Sequence, residues 1–324
     1  MADKPKVLVT RRWPGAVETR LADRFETTFN ESDQPMTAAA LRAALSEYDA
    51  ILPTVTDVIS ADVLNVANPR TRILGNYGVG FSHIDGAAAR ALGLVVTNTP
   101  DVLSECTADI ALTLMLMIAR RAGEGERELR AGKWTGWRPT HLVGTRMSGK
   151  VLGLVGFGRI AQEVARRAHH GFGMQILVHN RSPVAPEVLA RYGARQMDSL
   201  EALLPEVDFL SLHCPGGDET RGLIGADQMA AMRKGAFLIN TARGEVIDDQ
   251  ALVAALNAEH LGGAGLDVFE GEPQINPALL TCGRLVMLPH LGSATRESRE
   301  AMGLRVLENL EAFFAGQDPR DRVI

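Results

Sequence analysis

The stretch Val151-Leu-Gly-Leu-Val-Gly-Phe-Gly-Arg-Ile-Ala161 decides the fold of this chain. Its first five residues form an apolar run of strand length, and the glycines after them predict a turn that opens a helix. In this turn Gly156 permits a tight bend, Gly158 lets backbone N–H groups approach a pyrophosphate, and the small Ala161 lets helix and strand pack closely. The pattern predicts a dinucleotide site with the phosphates at the positive end of the helix. The alternative is an ordinary glycine turn between a strand and a helix.

The rest of the chain alternates short apolar runs with helical patterns, which supports the dinucleotide interpretation. Strands are predicted at residues 7–10, 49–52, 72–76, 94–98, 174–178, 208–213, 236–240, 263–267 and 285–288. Helices are predicted at residues 14–24, 36–45 (capped by Thr37), 60–67, 85–92, 104–121, 226–233, 248–257 and 295–315. This alternation predicts parallel sheets with crossover helices. The last helix has no following strand, so we expect it to return to the first domain.

The length and composition are those of a globular protein with two domains. A chain of 324 residues can bury two separate cores, and a net charge of −5 argues against nucleic acid or an anionic membrane as a partner. The longest apolar run, 110–119, is too short to span a bilayer, and the first residues lack a signal-peptide core. Cys106, Cys214 and Cys282 fit a reducing compartment. From these features we expect a cytoplasmic protein. We expect no metal site, because the sequence has no spaced cluster of His, Cys and carboxylate residues.

Residues 130–149 are rich in Gly, Trp and Pro and predict a long irregular arm. Two of its aromatic residues, Trp134 and Trp137, suit an interface with a partner subunit, because aromatic residues are enriched in interface cores. Packing of both residues on their own domain is the alternative.

The end of the second strand of the dinucleotide fold indicates which cofactor binds. That strand normally ends in an acid, about 20 residues after the glycine turn, which bonds the ribose hydroxyls. Here the sequence is Val178-His-Asn-Arg-Ser182, with Asn180 at the acid's position and Arg181 after it. An arginine fork and the hydroxyl of Ser182 can hold a 2′-phosphate that an acid would repel. The pattern favours NADP(H) over NAD(H), unless Arg181 merely begins a solvated loop.

Three later segments carry polar groups at the ends of predicted strands, where α/β sheets bind ligands. They are Asn240-Thr-Ala-Arg243-Gly244, Gly265-Leu-Asp-Val-Phe-Glu-Gly-Glu272-Pro273 and Pro289-His290-Leu-Gly-Ser293. Reduction of a 2-oxo acid needs a cation, which Arg243 offers as a bidentate fork, and a proton donor, which His290 offers with an ordinary pKa of about 6.5. Glu272 would favour the imidazolium and orient it. Each residue also has a plain alternative, as a surface charge, a loop histidine or a solvated acid.

These segments, with several upstream motifs, resemble the D-isomer-specific 2-hydroxyacid dehydrogenase family over nearly the whole chain. The upstream matches are Gly78-Val-Gly80, His83-Ile-Asp85, Asn98-Thr-Pro100 and the glycine turn. The resemblance implies an α/β fold of two Rossmann-like, doubly wound parallel-sheet domains with a cleft between them. Residues 1–99 plus 291–324 would form a discontinuous, flavodoxin-like substrate-binding domain. Residues 100–290 would form the dinucleotide-binding domain, with a dimerisation arm at about 104–149 that makes a homodimer.

The resemblance also assigns roles to single residues. Arg243 matches the substrate-binding arginine, Glu272 the acid paired with histidine, and His290 the proton donor and acceptor, which also contacts substrate. Asp267 matches the residue that bonds the nicotinamide carboxamide. The backbone at Val79 and Gly80 matches the loop that cradles the substrate carboxylate. Further cofactor contacts are expected at Thr107, Gly156, Phe157, Gly158, Arg159, Ile160, Asn180, Arg181, Ser182, His213, Cys214, Pro215, Thr241 and Ser293.

Within the family, Asn180-Arg181-Ser182 together with Trp137-Arg-Pro139 is most similar to glyoxylate/hydroxypyruvate reductases. This similarity implies NADPH-dependent reduction of glyoxylate, hydroxypyruvate or a similar small 2-oxo acid to the D-2-hydroxy acid, with His290 as general acid. Formate oxidation is disfavoured, because that branch carries Gln where Glu272 stands. The same residues also admit phosphite oxidation, 3-phosphoglycerate oxidation or a nucleotide-sensing, corepressor-like binding protein.

Overall fold

The computed structural model of the protein describes residues 4–324 and contains two parallel β-sheets, one of five strands and one of seven. The chain divides into two compact units, Met1–Leu103 with Ala294–Ile324, and Ser104–Ser293. The predicted α/β fold with two Rossmann-like, parallel-sheet domains is confirmed. The unit boundaries follow Leu103 and Ser293, a few residues after positions 99 and 290, where the sequence placed them.

The first unit is built on a sheet with the strand order β2-β1-β3-β4-β5. Its strands are β1 (Lys6–Val9), β2 (Glu26–Phe29), β3 (Ala50–Leu52), β4 (Ile73–Gly75) and β5 (Val95–Thr97). Every residue of β3, β4 and β5 is buried, as expected for a parallel sheet covered on both faces. These continuous apolar runs are the strands that the sequence pattern located.

Helices α1 (Gly15–Arg24), α2 (Ala38–Glu47), α3 (Ala61–Leu64) and α4 (Gly86–Ala91) connect these strands. The expected cap of α2 is present, since the Thr37 hydroxyl accepts a hydrogen bond from the Ala40 N–H at 3.2 Å. Asp85 caps α4 in the same way through the Ala88 N–H. Such caps satisfy N–H groups that have no partner inside the helix.

The second unit is built on a sheet with the order β12-β11-β10-β9-β6-β7-β8. Its strands are β6 (Val151–Val155), β7 (Gln175–His179), β8 (Ala194–Gln196), β9 (Phe209–Leu212), β10 (Phe237–Asn240), β11 (Gly263–Leu266) and β12 (Leu285–Met287). Its helices are α5 (Ser104–Ala119), α6 (Ala122–Arg130), α7 (Arg159–Phe172), α8 (Pro186–Ala190), α9 (Leu200–Leu203), α10 (Ala226–Ala231), α11 (Asp249–Asn257) and α12 (Pro277–Thr281). No helix within residues 4–324 is long and apolar enough to cross a membrane.

The last helix, α13 (Arg296–Phe314), belongs to the first unit. The residues after it pair with β5 in a way that the sequence did not indicate. The Val323 N–H donates to the Val96 carbonyl at 2.8 Å, and the Val96 N–H donates to the Ile324 carbonyl at 3.1 Å. A single antiparallel bridge joins Thr97 to Arg322. This segment therefore covers the outer edge of β5.

Strands β2 and β8 and helix α6 are among the elements that the sequence did not predict. Strand β2 has the sequence Glu-Thr-Thr-Phe, and both β2 and β8 are partly exposed edge strands without an apolar run. Helix α6 contains two glycines, which lower helix propensity, and buries none of its residues. The arm after α6 is irregular, as predicted, and the Trp137 side chain on it is 82% exposed rather than packed on its own unit.

We expect Thr37→Ala to lower the free energy of unfolding by about 1 kcal/mol, because the Ala40 N–H loses its acceptor at the start of α2. Thr37→Asn is the matched control, since asparagine caps helices at least as well as threonine. Urea denaturation followed by circular dichroism measures both variants. Equal losses in the two would show that the cap does not stabilise the helix.

Candidate active site

The glycine turn follows β6, which lies between β7 and β9 in the second sheet. Gly156 has φ +85°, a conformation that side chains other than glycine rarely adopt. A Cβ atom at this position would lie 2.9 Å from backbone atoms of His213 and Cys214 at the end of β9. The Gly156 N–H donates to the His179 carbonyl at 2.8 Å. The bend therefore depends on glycine, both for its conformation and for its close approach to β9.

The start of α7 beyond this bend is open. A Cβ atom added at Gly158 would meet no atom within 4 Å, no side chain caps the helix, and its first turn carries no acid. Ala161 is fully buried, so helix and strand pack closely. The N–H group of Ile160 lies in this first turn, at the positive end of the helix. This combination of space and positive helix end fits the pyrophosphate of a dinucleotide.

Asn180 braces the glycine turn from the end of β7. Its Oδ1 accepts a hydrogen bond from the Phe157 N–H at 3.0 Å, and its Nδ2 donates to the Ser182 carbonyl at 2.9 Å. Next to it, Arg181 is 85% exposed in its side chain and pairs with Glu219 at 2.7 Å. The residue that replaces the usual acid is thus a structural brace, and the neighbouring cation is held at the surface by a carboxylate.

The segment after β9 forms the other side of the turn. Ser211 Oγ and His213 Nε2 lie 2.8 Å apart, and burial lowers the pKa of His213 to about 3. Burial also raises the pKa of Cys214 to about 11. Both side chains are therefore neutral near pH 7, so neither offers an ionised acid, base or thiolate there. Pro215, which follows them, is exposed.

The loop after β10 positions Arg243. Buried Asn240 donates from Nδ2 to the Arg243 carbonyl at 2.8 Å and accepts from the Ala242 N–H at 2.9 Å. Between them, the buried Thr241 Oγ1 has no hydrogen-bond partner among the described residues, which leaves a polar atom for a ligand. Gly244 passes so close to Phe269 that a Cβ atom would fall 1.8 Å from its carbonyl carbon. The arginine loop is thereby fixed against the segment that carries Glu272.

The Arg243 side chain is half-buried, and its Nη1 donates to the Ala242 carbonyl at 2.6 Å. Burial lowers the pKa of Arg243, against the opposing charges of Glu245 and Glu272. A guanidinium stays protonated in proteins, so this group remains a cation partly stripped of water. Such a cation binds a ligand carboxylate strongly.

His290 and Glu272 form a hydrogen-bonded pair, with His290 Nδ1 and Glu272 Oε2 2.8 Å apart. The second carboxylate oxygen accepts from the Phe269 N–H at 2.8 Å. Burial raises the pKa of Glu272, but the hydrogen bond and charge of His290, the Phe269 N–H and Arg243 together lower it below its ordinary value. The carboxylate thus stays ionised and fixes the imidazole.

The backbone of His290 is itself constrained. Its φ of +54° lies in the left-handed region, which is strained for a residue with a side chain. The His290 N–H donates to the carbonyls of Asp267 and Leu288, both at 3.0 Å. Its Nε2 makes no hydrogen bond to another residue in the part of the chain that the structure describes, so this nitrogen can exchange a proton with a ligand.

Asp267 organises the segment that follows His290. Its two carboxylate oxygens accept from the N–H groups of Leu291 and Gly292, both at 2.7 Å. Burial raises the pKa of Asp267 despite these two bonds. Thr107 on α5 donates from Oγ1 to the Gly292 carbonyl at 3.1 Å. The half-buried Ser293 comes directly after this group, which connects α5, β11 and the histidine.

Val79 and Gly80 belong to the first unit, in the loop after β4. Asn76 Nδ2 donates to the carbonyls of Gly78 and Gly80 at 2.9 and 3.0 Å, and Asn98 Nδ2 donates to the Val79 carbonyl at 2.8 Å. Within residues 4–324, the N–H groups of Val79 and Gly80 have no hydrogen-bond acceptor. The loop thus turns its carbonyls toward two asparagines and leaves two adjacent donors unpaired.

The structure therefore brings most of the predicted residues together within the second unit. Arg243, Glu272 and His290 are linked to Asp267 and Thr107, while the glycine turn is linked to Asn180, His213 and Cys214. The sequence missed Glu219, because its contact with Arg181 joins segments 38 residues apart and leaves no local pattern. It also missed the bracing roles of Asn76 and Asn240, although those hydrogen bonds span only two to four residues. No group of three or more His, Cys, Asp and Glu side chains in the described residues could hold a metal ion.

Comparison with known proteins identifies the family. Residues 112–292 match the D-isomer specific 2-hydroxyacid dehydrogenase family in its NAD binding domain. A glyoxylate reductase from Thermococcus litoralis is 41% identical over 324 residues, which cover 99% of this chain and 97% of the relative. The chain belongs to the D-isomer specific 2-hydroxyacid dehydrogenase family. The resemblance inferred from the sequence motifs is confirmed, and the protein is an oxidoreductase with a nicotinamide dinucleotide site in its second unit.

Solved structures of this family agree with that assignment. A Polaromonas sp. JS6 66 protein described as an NAD-binding D-isomer specific 2-hydroxyacid dehydrogenase has a TM-score of 0.92 and 38% identity, covering 99% of this chain and 100% of the other. An NADPH-dependent glyoxylate/hydroxypyruvate reductase from Sinorhizobium meliloti, in complex with NADP and malonate, has a TM-score of 0.88 and 35% identity. The match covers 99% of this chain and 97% of the other. Each of these two proteins is well under half identical to this chain in sequence and yet shares its fold over nearly the whole length.

We expect Glu272→Gln to lower stability at pH 7 by about 1 kcal/mol, because the variant loses a charged hydrogen-bond acceptor for His290 and Phe269. The pKa of Glu272 is depressed in the folded protein, so this contribution is present above its ordinary value of 4.5 and is lost as the pH falls through the depressed value.

Thermal unfolding of both proteins between pH 7 and pH 3.5 measures the effect. Glu259→Gln, which removes an exposed ion pair with Arg284, is the control and should change little at any pH. A deficit of Glu272→Gln that stays constant over this range would show that ionisation of Glu272 does not stabilise the fold.

Proposed function

We propose that this dehydrogenase reduces a small 2-oxo acid, glyoxylate or hydroxypyruvate, to the D-2-hydroxy acid with NADPH. The observation that carries the proposal is the 2.8 Å pair of His290 and Glu272, in the same hydrogen-bonded part of the unit as Arg243 and Asp267. The glyoxylate reductase of Thermococcus litoralis and the Sinorhizobium meliloti glyoxylate/hydroxypyruvate reductase support the substrate class.

His290 acts as the general acid in this proposal. When bound, reduced nicotinamide supplies a hydride to the keto carbon of the substrate. As that carbon accepts the hydride, the C=O electron pair moves to oxygen, which takes a proton from His290 Nε2. The ionised Glu272 at Nδ1 stabilises the imidazolium before the transfer and keeps the ring oriented afterwards. In the reverse direction the same nitrogen accepts the proton of the hydroxyl group.

Arg243 binds the anionic substrate. Its planar fork matches a carboxylate and the adjacent keto oxygen, and it stabilises the negative charge that grows on that oxygen. Partial burial strengthens this interaction, because less water competes for the guanidinium. In the first unit, the unpaired N–H groups of Val79 and Gly80 offer two adjacent donors to a carboxylate.

The cofactor is held by the open N-terminus of α7, where backbone N–H groups at Gly158, Arg159 and Ile160 would face the pyrophosphate. Arg181, with Ser182 beside it, would bind the 2′-phosphate and so favour NADP(H), with NAD(H) as the second cofactor. Asp267 and Thr107 would lie near the nicotinamide. The Sinorhizobium meliloti relative, described as NADPH-dependent and bound to NADP, supports this preference.

We also propose that the protein forms a homodimer. The arm at residues 131–149 exposes Trp134, Trp137 and Val143, an apolar surface of the kind that a second copy of the chain would bury.

Steady-state assays test the proposed function. We expect turnover of glyoxylate and hydroxypyruvate, with kcat/KM for NADPH about tenfold or more above that for NADH, a difference of about 1.4 kcal/mol. Hydroxypyruvate also gives a chiral product, so oxidation of D-glycerate but not L-glycerate should follow. Higher kcat/KM with NADH would overturn the cofactor preference, and turnover of phosphite or 3-phosphoglycerate without any 2-oxo acid would overturn the substrate class.

His290→Asn should lower kcat for reduction about 100- to 10,000-fold, because the variant has no proton donor at that position. NADPH binding, measured by cofactor fluorescence, should stay within twofold of the wild type, since His290 does not touch the glycine turn. Arg243→Lys is the companion variant. It should instead raise KM for the 2-oxo acid, because lysine cannot form the bidentate contact. Turnover of His290→Asn at the wild-type rate would refute the assignment.

A further inference from the structure

One exposed ion pair joins the two loops that flank the glycine turn. Because β6 lies between β7 and β9 in a parallel sheet, the loops that follow β7 and β9 emerge on either side of the turn. The first of these loops carries Arg181 and the second carries Glu219, with 2.7 Å between Arg181 Nη1 and Glu219 Oε2. The pair therefore spans the end of β6, where the dinucleotide pattern is located.

Hydrogen bonds brace the backbones of both loops, whereas the side chains of Arg181 and Glu219 are highly exposed. Gln196 Nε2 donates to the carbonyls of Asn180 and Ser182, both at 3.3 Å. Thr220 donates from Oγ1 to the Pro215 carbonyl at 2.7 Å. The side chains of Arg181 and Glu219 are 85% and 81% exposed. The backbones thus keep the two charges near each other while either side chain can turn away.

This arrangement places a carboxylate at the group that would receive a 2′-phosphate. An exposed ion pair adds little stability, so stabilisation of the fold does not explain the presence of Glu219 at this position. Its negative charge, however, competes with any anion for Arg181 and repels a phosphate bound there. At about 6 Å in water, a carboxylate and a dianionic phosphate repel each other enough to weaken binding roughly fivefold to tenfold before screening by salt. NADH carries no 2′-phosphate and would not be affected.

We propose that Glu219 is a specificity-determining residue that weakens NADP(H) binding at Arg181 and thereby lets NAD(H) serve as a second cofactor. This inference rests on the proposed function in one respect, the assignment of the 2′-phosphate to Arg181. It adds that the cofactor preference is set by the balance of two exposed charges on the two loops and not by the arginine alone.

Direct binding tests the proposal without any turnover. The full-length protein and its Glu219→Gln variant are titrated in low salt with NADPH, NADH, 2′,5′-ADP and 5′-AMP. We expect the variant to bind NADPH and 2′,5′-ADP about three- to tenfold more tightly, and NADH and 5′-AMP within twofold of the wild type. The gain should largely disappear at 1 M salt, where charges are screened within about 3 Å.

Two further variants make the result decisive. Glu270→Gln breaks the exposed Arg221–Glu270 pair with the same change in net charge, and it should leave the ratio of NADPH to NADH affinity unchanged. Arg181→Ala should weaken NADPH binding selectively and reduce the gain from Glu219→Gln in the double variant, because Glu219 and the 2′-phosphate then no longer compete for one guanidinium.

The outcomes separate this inference from the proposed function. If Arg181→Ala weakens NADPH selectively but Glu219→Gln changes nothing, or changes both cofactors equally, Glu219 has no role in specificity while the NADPH assignment stands. If Arg181→Ala affects NADPH and NADH alike, the assignment of Arg181 fails and the inference fails with it. Inactivity toward glyoxylate and hydroxypyruvate would overturn the substrate proposal only.

Discussion

All seven strands of the second sheet run in one direction, so the loops that follow them emerge along a single edge. This constraint places the glycine turn, Asn180, Cys214, Arg243 and Asp267 after five different strands yet on the same side of the unit. The residues are far apart in sequence and need no loop of unusual length to meet. The chemistry of the site therefore depends first on parallel pairing and only then on the individual side chains.

Within that edge, short polar side chains that bond to backbone groups do most of the positioning. Asn180 holds the Phe157 N–H, Asn240 holds both ends of the arginine loop, and Asp267 holds the N–H groups of Leu291 and Gly292. In each case one short polar side chain satisfies main-chain groups that would otherwise be buried without partners. His290 is fixed both through its ring, by Glu272, and through its strained main chain, by Asp267.

The sequence predicted the buried strands well and also indicated the candidate site residues, because both leave local signals. Continuous apolar runs located β6 and β9, and the spacing of glycines located the start of α7. The polar edge strand β2 leaves no such signal, since its pairing with β1 is decided by tertiary contacts. For the same reason the sequence showed Arg181 but not Glu219, which is 38 residues away and joins it only after the sheet has formed.

The discontinuity of the first unit has a consequence for synthesis on the ribosome. Strand β5 is an outer strand, and the residues that cover its free edge, Arg322 to Ile324, are translated only after the whole second unit. Helix α13, which belongs to the same unit, is also made late. The second unit has all its strands when residue 293 has been translated. Until residues 322–324 are translated, the first sheet has an exposed edge at β5. Such an edge can pair with strands of other chains, and chaperones shield surfaces of this kind.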